Sequence, residues 1–542
     1  MIDAFPPPLP AARRLAWGLL ALCLLALPAP GALQPPAPDV LFIAVDDLND
    51  YISPLDHHPG VRTPHLERLA ARSVTFTRAQ CAAPACHPSR VAVLTGVHPV
   101  RSGIYRNLFR AHGPRWRHES PVLRDAVVLS RHFMNHGYRA VGGGKLFHAL
   151  QWTPGDSQND PDAWTAYRGD PLNPIAPDWP RPPRTPDAQA GLGPGRPLGA
   201  AQLFGAQPLR VPDEETGDHR VVDWAIEQLH ATRAQPLFLA VGLFRPHIPW
   251  EVPQRWFDLH PASAVALPAT RTNDLADAFD HGRRSWHRWV TDNRQWTNFV
   301  RGYLASVAYM DHQVGRLLDA LEASPRRTNT VVVLWSDHGF HLGEKENWEK
   351  FALWDQTTRV PLFIGAPGRA GNGKRCREAV SLVDLYPTLC ELAGLPVPPQ
   401  CTGRSLVPQL DQPTRPVPHP ALISHVFNSA DNPGRRPSHA VADARHRLIR
   451  YHNGFEELYD LEEDPNEYVN RAQDARLAEA KARLARHLPA DPAPDRDIPT
   501  SRRTRPTTSP HKGSGSATGK GSRPGACRNR PRQARLPGVT PW

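Results

Sequence analysis

The sequence lacks an apolar run long enough to cross a bilayer. The run LAWGLLALCLLAL, residues 15–27, falls short of the roughly 20 apolar residues that a spanning helix needs, so no integral membrane protein is expected. Basic charge is scarce outside one segment. Of the net +11, residues 491–542 supply +8 through 11 Lys/Arg against 3 Asp, which leaves +3 for everything before them. A basic tail on a nearly neutral body is not the footprint of a nucleic-acid-binding surface, and no nucleic-acid partner is expected. That tail is rich in Ser, Gly, Pro and Arg and almost without large apolar groups. It cannot bury enough surface to order itself and reads as disordered, or as a tether to an acidic surface. Cysteine is also sparse, at seven. Setting aside Cys23 and Cys86, five remain, an odd number that no set of internal disulfides can exhaust. Cys390 and Cys401, on either side of ELAGLPVPPQ, are the expected pair. No internal repeat is apparent.

Arg13 and Arg14 stand before the apolar run, and PAPGA after it offers small residues for cleavage near Gly31 or Ala32. Residues 1–32 therefore read as a signal peptide, with an uncleaved anchor as the alternative, and the expected location is periplasmic or secreted. The hydrophobic share of 40 % suffices for a large core, and 61 prolines against 38 glycines point to long irregular loops around it.

Four apolar runs end in polar residues. DVLFIAVDD ends in Asp46 and Asp47, YRAVGGGKLFH in Lys145 and His148, PLFLAVGLFRPHIP in Arg245 and His247, and TVVVLWSDHG in Asp337 and His338. Continuous rather than alternating apolar runs predict strands covered on both faces, as in a parallel sheet between helices. An open α/β sheet of this kind carries its chemistry beyond the carboxyl ends of its strands. Helices are expected over TPHLERLAARS, with Thr63 as N-cap, and over GYLASVAYMDHQVGRLLDALEAS. A composition break near 402–420 divides a large domain, 36–410, from a smaller α+β unit, 411–490, in which RHRLIRYHNGFEELYDLEEDP reads as a hairpin and ARLAEAKARLARHL as a closing helix.

Asp46, Asp47 and Asp337 are hard oxygen donors, and with His338 they suit Ca²⁺ or Mg²⁺ better than a thiolate-seeking metal. One Asp-Asp pair alone is weak, because it serves equally well to cap a turn. Cys86 and Arg90 lie four apart and share one face of a helix that begins near Pro88. The helix start and the cation both lower a thiol pKa. Taken alone, that pattern suggests a nucleophile for an anionic substrate. A cysteine phosphatase fits poorly, since those enzymes put five residues between Cys and Arg where this chain has three. Other residues stay open on this reading. Lys145 serves as readily as a solvated loop residue, His148 and His247 as satisfied loop histidines, and Lys350, in the charged stretch GEKENWEKF, as part of a solvated helix face.

CHPSRVAVLTG, residues 86–96, resembles the type I sulfatase signature C-x-P-S-R-x-x-x-L-T-G at each of its fixed positions. GGGKLFH, FRPHIPWEVP, SDHGFHLGEKENWEKF, SLVDLYPTLCELAGLPVP and LYDLEEDPNEYVNRA resemble iduronate-2-sulfatase and its bacterial relatives, over roughly residues 36–490. The resemblance implies an alkaline-phosphatase-like α/β fold, with a large mixed, mostly parallel sheet between helices and a smaller C-terminal α+β domain. It implies a sulfuric ester hydrolase in which a formylglycine-generating enzyme oxidises Cys86 to an aldehyde. It also implies a metal, Ca²⁺ first and Mg²⁺ second, on Asp46, Asp47, Asp337, His338 and the modified Cys86. Arg90 would support the modified side chain, Lys145 and Lys350 would neutralise the sulfate, His247 would protonate the leaving alcohol, and His148 would help to release sulfate. The resemblance assigns no role to His341, Lys345 and Trp348, which are expected to line the substrate pocket, and has no counterpart for the loop over 181–208, which is expected to shape its outer part. The implied substrate is a sulfated carbohydrate, with 2-O-sulfated uronate leading. The rivals are choline or aryl sulfate, a phosphonate monoester on the same fold, and a non-catalytic module that binds sulfated glycan.

Overall fold

In the computed structural model, residues 36–55, 58–107, 116–148, 160–168, 205–280 and 284–496 are described. The expected signal peptide, most of the 181–208 loop and the tail beyond Arg496 lie outside these residues. The tail begins later than expected. Ala493 N–H donates to Val100 O at 2.8 Å and Arg496 N–H to Gly103 O at 3.0 Å, and Arg106 pairs with Asp495 at 2.9 Å.

Eight strands form the main sheet. They are β1 Asp39–Val45, β2 Val74–Gln80, β3 Arg139–Gly144, β4 Ala166–Arg168, β5 Leu237–Leu243, β6 Thr330–Ser336, β7 Leu362–Gly365 and β8 Arg375–Ser381, in spatial order β8-β2-β7-β6-β1-β5-β3-β4. All pairings are parallel except those of β7, which runs against β2 and β6. The unbroken apolar runs have the cause inferred for them. In β1, Val40, Phe42 and Ala44 join a core on one face of the sheet, and Leu41, Ile43 and Val45 join a second core on the other.

The helices that cover these faces are α1 Pro64–Ala70, α2 Cys86–Thr95, α3 Leu129–Asn135, α4 Gly217–His230, α5 Trp296–Ala323 and α6 Leu385–Leu392. The 28-residue α5 buries Phe299, Tyr303, Leu304, Val307, Met310, Val314, Leu317 and Leu321 on the β1 core. Thr63 precedes α1 but does not cap it through its side chain; its Oγ1 bonds Ser53 instead, and Asp311 of α5 accepts from the N–H groups of His65 and Leu66 at 3.1 and 2.8 Å. Beyond residue 410, strands β9 Ala421–His425, β10 Ser438–Ala442, β11 His446–Arg450 and β12 Glu456–Asp460 make an antiparallel meander, with α7 Ala478–Ala485 against it.

The expected Cys390–Cys401 bond is absent. Both are free thiols, pushed up to about 12 by burial, and Cys401 Sγ is turned onto Gly96, where an added Cβ would meet it at 2.7 Å.

Candidate active site

Strand register decides which residues meet. Val45 of β1 pairs with Leu243 of β5 on one side and Ser336 of β6 on the other, and Gly144 of β3 pairs with Gly242 of β5. The next residues, Asp46, Phe244, Asp337 and Lys145, therefore emerge at one end of the sheet. The close approach there requires glycine. A Cβ on Gly144, whose φ is +77°, would lie 1.9 Å from Gly242 O, and one on Gly242 would lie 2.2 Å from Lys145 O.

Asp47 leaves β1 with φ of +60°, a left-handed conformation that a non-glycine residue holds only when its surroundings enforce it. Its N–H donates to Asp337 Oδ1 at 3.2 Å, and its carbonyl accepts from the Tyr303 hydroxyl of α5 at 2.9 Å. Cys86 opens α2 and turns toward these strand ends. Arg90, one turn later and fully buried, fastens three of them together. Its Nε donates to Asp337 Oδ2 at 2.8 Å, Nη2 to Asp46 Oδ1 at 3.0 Å, and Nη1 to the carbonyls of Lys145 and Leu146.

Around the Cys86 thiol stand Lys350 Nζ at 3.1 Å and His338 Nε2 at 3.2 Å. His338 Nδ1 meets Gly339 O at 2.9 Å, which points Nε2 at the sulfur. Lys350 also donates to Asp47 Oδ1 at 2.7 Å, and Lys145 pairs with Asp46 Oδ2. His247 Nδ1 meets Ile248 O at 2.5 Å, leaving Nε2 at 3.7 Å from Asp47 Oδ2 and 4.0 Å from Asp46 Oδ2. His148 is buried beside Cys86 and helps to lower its thiol pKa. Nine of the ten expected catalytic and metal-binding residues are buried, and the tenth, His247, has a side-chain exposure of 12 %.

The electrostatics follow from this crowding. Burial by itself would raise the Cys86 thiol, but Lys350, Lys145 and His338 together bring it well below the ordinary range. Asp46 is likewise opposed by burial and is brought far down by Lys145, His247 and Arg90. Burial raises Asp337 to about 7 against the pull of Arg90. His338 rises to about 9, because Asp337 and Cys86 outweigh its desolvation.

Asp46, Asp47, Cys86 and His338 each present a ligand atom, and these four atoms lie within 4.8 Å of one another. Asp47 Oδ2 is buried with no hydrogen-bond partner. Two carboxylates, one of them with an orphaned oxygen, and an imidazole fit a hard divalent ion. Asp337, expected as a further ligand, is outside that foursome; its Oδ2 is given to Arg90 and lies 3.5 Å from His338 Nε2.

Two expectations need correction, and one set of residues was missed. Lys350 is not on a helix. It follows a short antiparallel pair, His341–Leu342 with Trp348–Glu349, in a stretch where Lys345, Glu346, Glu349 and Phe351 take positive φ. This tight path is what carries Lys350 into the site. Nor do His341, Lys345 and Trp348 line an open pocket. Lys345 is buried with its Nζ on Asp274 at 3.2 Å and on the Glu467 carbonyl, Trp348 Nε1 donates to His287 Nδ1 at 3.2 Å, and Asn347 Nδ2 bonds His341 Nδ1 at 3.2 Å. Finally, three holders of the site were missed. Ser89 Oγ donates to Asp337 O at 2.6 Å, Ser336 Oγ accepts from Leu48 N at 3.0 Å, and Tyr303 OH bridges Asp47 and Asn49. Ser89, a fixed position of the 86–96 motif, carried a signal; Tyr303, inside an apolar helix, carried none.

Comparison with known proteins fits this geometry. The family model described as Sulfatase matches residues 38–395. The chain belongs to the sulfatase family. It is a sulfuric ester hydrolase. A model of the C-terminal part of N-sulphoglucosamine sulphohydrolase matches residues 343–491 of this sulfatase. A protein named Sulfatase from Formosa agariphila is 35 % identical over 466 residues, covering 83 % of this chain and 86 % of the relative. Iduronate 2-sulfatase of Mus musculus is 32 % identical over 446 residues, covering 73 % and 76 %. Among solved structures, the phosphonate monoester hydrolase of Agrobacterium radiobacter superposes with a TM-score of 0.62 at 22 % identity, covering 83 % of this chain and 94 % of that one. A 2-O GAG sulfatase gives 0.58 at 21 % identity, covering 83 % and 90 %. At these identities the solved structures establish the alkaline-phosphatase-like fold and nothing finer.

Proposed function

We propose that this sulfatase is an exported, exo-acting carbohydrate sulfatase that removes the 2-O-sulfate of a terminal uronic acid, with Cys86 acting after oxidation to formylglycine. The observation that carries the reading is the buried Cys86 side chain, in reach of Lys350 and His338 and anchored through Arg90 to three strand ends. A 2-sulfated uronate brings two anionic groups, and Lys145 and Lys350 supply the opposite charge. Two relatives of this chain, at 32 % and 31 % identity, are named iduronate 2-sulfatase.

Asp46, Asp47, His338 and the oxidised Cys86 would hold a divalent ion, calcium before magnesium. Such an ion supplies charge that polarises sulfate oxygens. The residues of the chain do the rest. The aldehyde of residue 86 adds water to give a gem-diol. One of its hydroxyls gives up its proton to water, its oxygen attacks sulfur, the bond from sulfur to the sugar oxygen breaks, and Lys145 and Lys350 neutralise charge on the attacking and transferring groups. His247 Nε2, which faces the carboxylates rather than a backbone partner, gives its proton to the departing sugar oxygen, an assistance worth about 10²- to 10⁴-fold. His148 takes the proton of the second hydroxyl, the carbon–oxygen bond to sulfate breaks, and the aldehyde returns.

The test is a panel of defined sulfated saccharides beside an aryl sulfate, choline sulfate and a phosphonate monoester. The highest kcat/KM belongs to a saccharide with a non-reducing-end 2-O-sulfated uronate. Choline sulfate turned over far faster than every sugar would overturn the carbohydrate reading, and a fast phosphonate ester would overturn the preference for sulfate.

A further inference from the structure

His87 occupies the variable position of the 86–96 motif, and neither the fold nor the proposed chemistry uses it. Its imidazole is 2 % exposed, and both ring nitrogens are buried without a hydrogen-bond partner. Only its backbone is engaged, with His87 N–H donating to Asn107 Oδ1 at 2.9 Å, which fixes the first turn of α2. The ring stands edge-on to that of His148, with centroids 6.0 Å apart and planes at 64°. The imidazole is thus held beside the group that acts on residue 86, with one N–H to give and one lone pair to receive. A buried polar group left unpaired costs about 1–3 kcal/mol, so such a group is explained when a ligand completes it.

We propose that His87 is a specificity-determining residue that hydrogen-bonds a free hydroxyl of the sugar on the carbon next to the sulfate ester. The pairing follows from the chemistry of the two groups. A neutral imidazole and an alcohol each offer one donor and one acceptor, so one complements the other. The anionic parts of the substrate have better partners in the ammonium groups of Lys145 and Lys350, which Asp46 and Asp47 hold in the site. His87 adjoins His148, and its ring nitrogens bond neither a cation nor a carboxylate, which suits a neutral group of the substrate. A site that pairs a substrate hydroxyl rejects the analogue that lacks it.

The inference rests on the carbohydrate reading above, and a substrate–variant cycle separates the two. The enzyme and His87→Phe are each assayed on the best saccharide of the panel and on its deoxy analogue lacking the hydroxyl next to the sulfate. The fraction of residue 86 converted to aldehyde is measured for each preparation by peptide mass, and rates are referred to it. Loss of the hydroxyl lowers kcat/KM of the unaltered enzyme about 10- to 100-fold, matching the cost of one unpaired buried group, and lowers that of His87→Phe less than threefold. His87→Gln, which keeps a donor and an acceptor, recovers part of the discrimination. Equal discrimination by enzyme and His87→Phe, or none by the enzyme, overturns the assignment of His87 while leaving the carbohydrate reading standing. An enzyme that turns over no saccharide of the panel overturns both.

Discussion

At the scale of single residues, the site works by setting charges against one another where water is excluded. Cys86 is the group the rest are arranged around, so Cys86→Ala abolishes turnover while cooperative unfolding and the circular dichroism of the fold are retained. Cys86→Ser also fails in a host that oxidises only cysteine. Lys350 touches both Asp47 and Cys86. Its replacement by alanine removes a cation fixed at the place where charge develops, and lowers kcat about 10²- to 10³-fold, the loss typical of one such group. Asp47 makes a different prediction. Its orphaned Oδ2 waits for a cation, so calcium added to metal-stripped protein raises the melting temperature, and Asp47→Asn reduces that rise. An undiminished rise in the variant, or stoichiometric zinc in the enzyme as isolated, would remove Asp47 or calcium from the account.

At the scale of elements, short helices take their caps from far along the chain. His98 shows what this does to stability. Its Nδ1 accepts from Val100 N at 3.2 Å at the start of the turn Pro99–Ser102, and its Nε2 meets Leu422 O of β9 at 2.9 Å. The ring bonds as the neutral form, and burial pushes its pKa from 6.5 down to about 4. Between those values the unfolded chain binds a proton that the folded chain does not, so stability is full above the unfolded pKa and falls as pH drops toward 4. The shift corresponds to about 3 kcal/mol at the acid end. His98→Asn keeps an acceptor that does not titrate, so denaturant midpoints compared between pH 7 and 4.5 fall less in the variant than in the enzyme. Distance along the chain also explains what the sequence hid. Asp46, Asp337 and Lys145 were legible because each closes a strand-like run, and a parallel sheet aligns such positions. Thr63 before Pro64 read as a cap, yet the capping carboxylate comes from Asp311, 246 residues from His65. GEKENWEKF read as helix from its charge pattern, and only tertiary packing enforces the positive φ values that turn Lys350 inward.

At the scale of the whole molecule, the C-terminal sheet is wired into the catalytic one by buried ions. Arg447 of β11 is fully buried, with Nη2 on Gln80 Oε1 at 3.1 Å and on Asp355, Nη1 on Thr358 Oγ1 at 2.8 Å, and Nε 3.1 Å from Glu467 Oε1. Asp355 pairs in turn with Arg359, and Arg359 with Asp50, on the segment that begins at Asp46. Arg447→Ala leaves Asp355 and Glu467 buried without that cation, and lowers the unfolding free energy by about 3–5 kcal/mol. A loss below about 1 kcal/mol would show that the two sheets are held by apolar packing alone. None of this wiring was visible in RHRLIRYHNGFEELYDLEEDP, which spells a hairpin by alternation and says nothing of what its inward arginine meets. The motif at 86–96 was legible because the chemistry fixes its residue types locally, whereas the packing that buries Cys86 under Lys350 and beside His338 depends on chain more than 250 residues away. The arrangement has a catalytic purpose only if Cys86 is converted, and the mass of the peptide containing residue 86, from enzyme made in its native host, tests that directly. The account predicts the mass of the aldehyde, or of its hydrate, and an unmodified cysteine in active enzyme would contradict it.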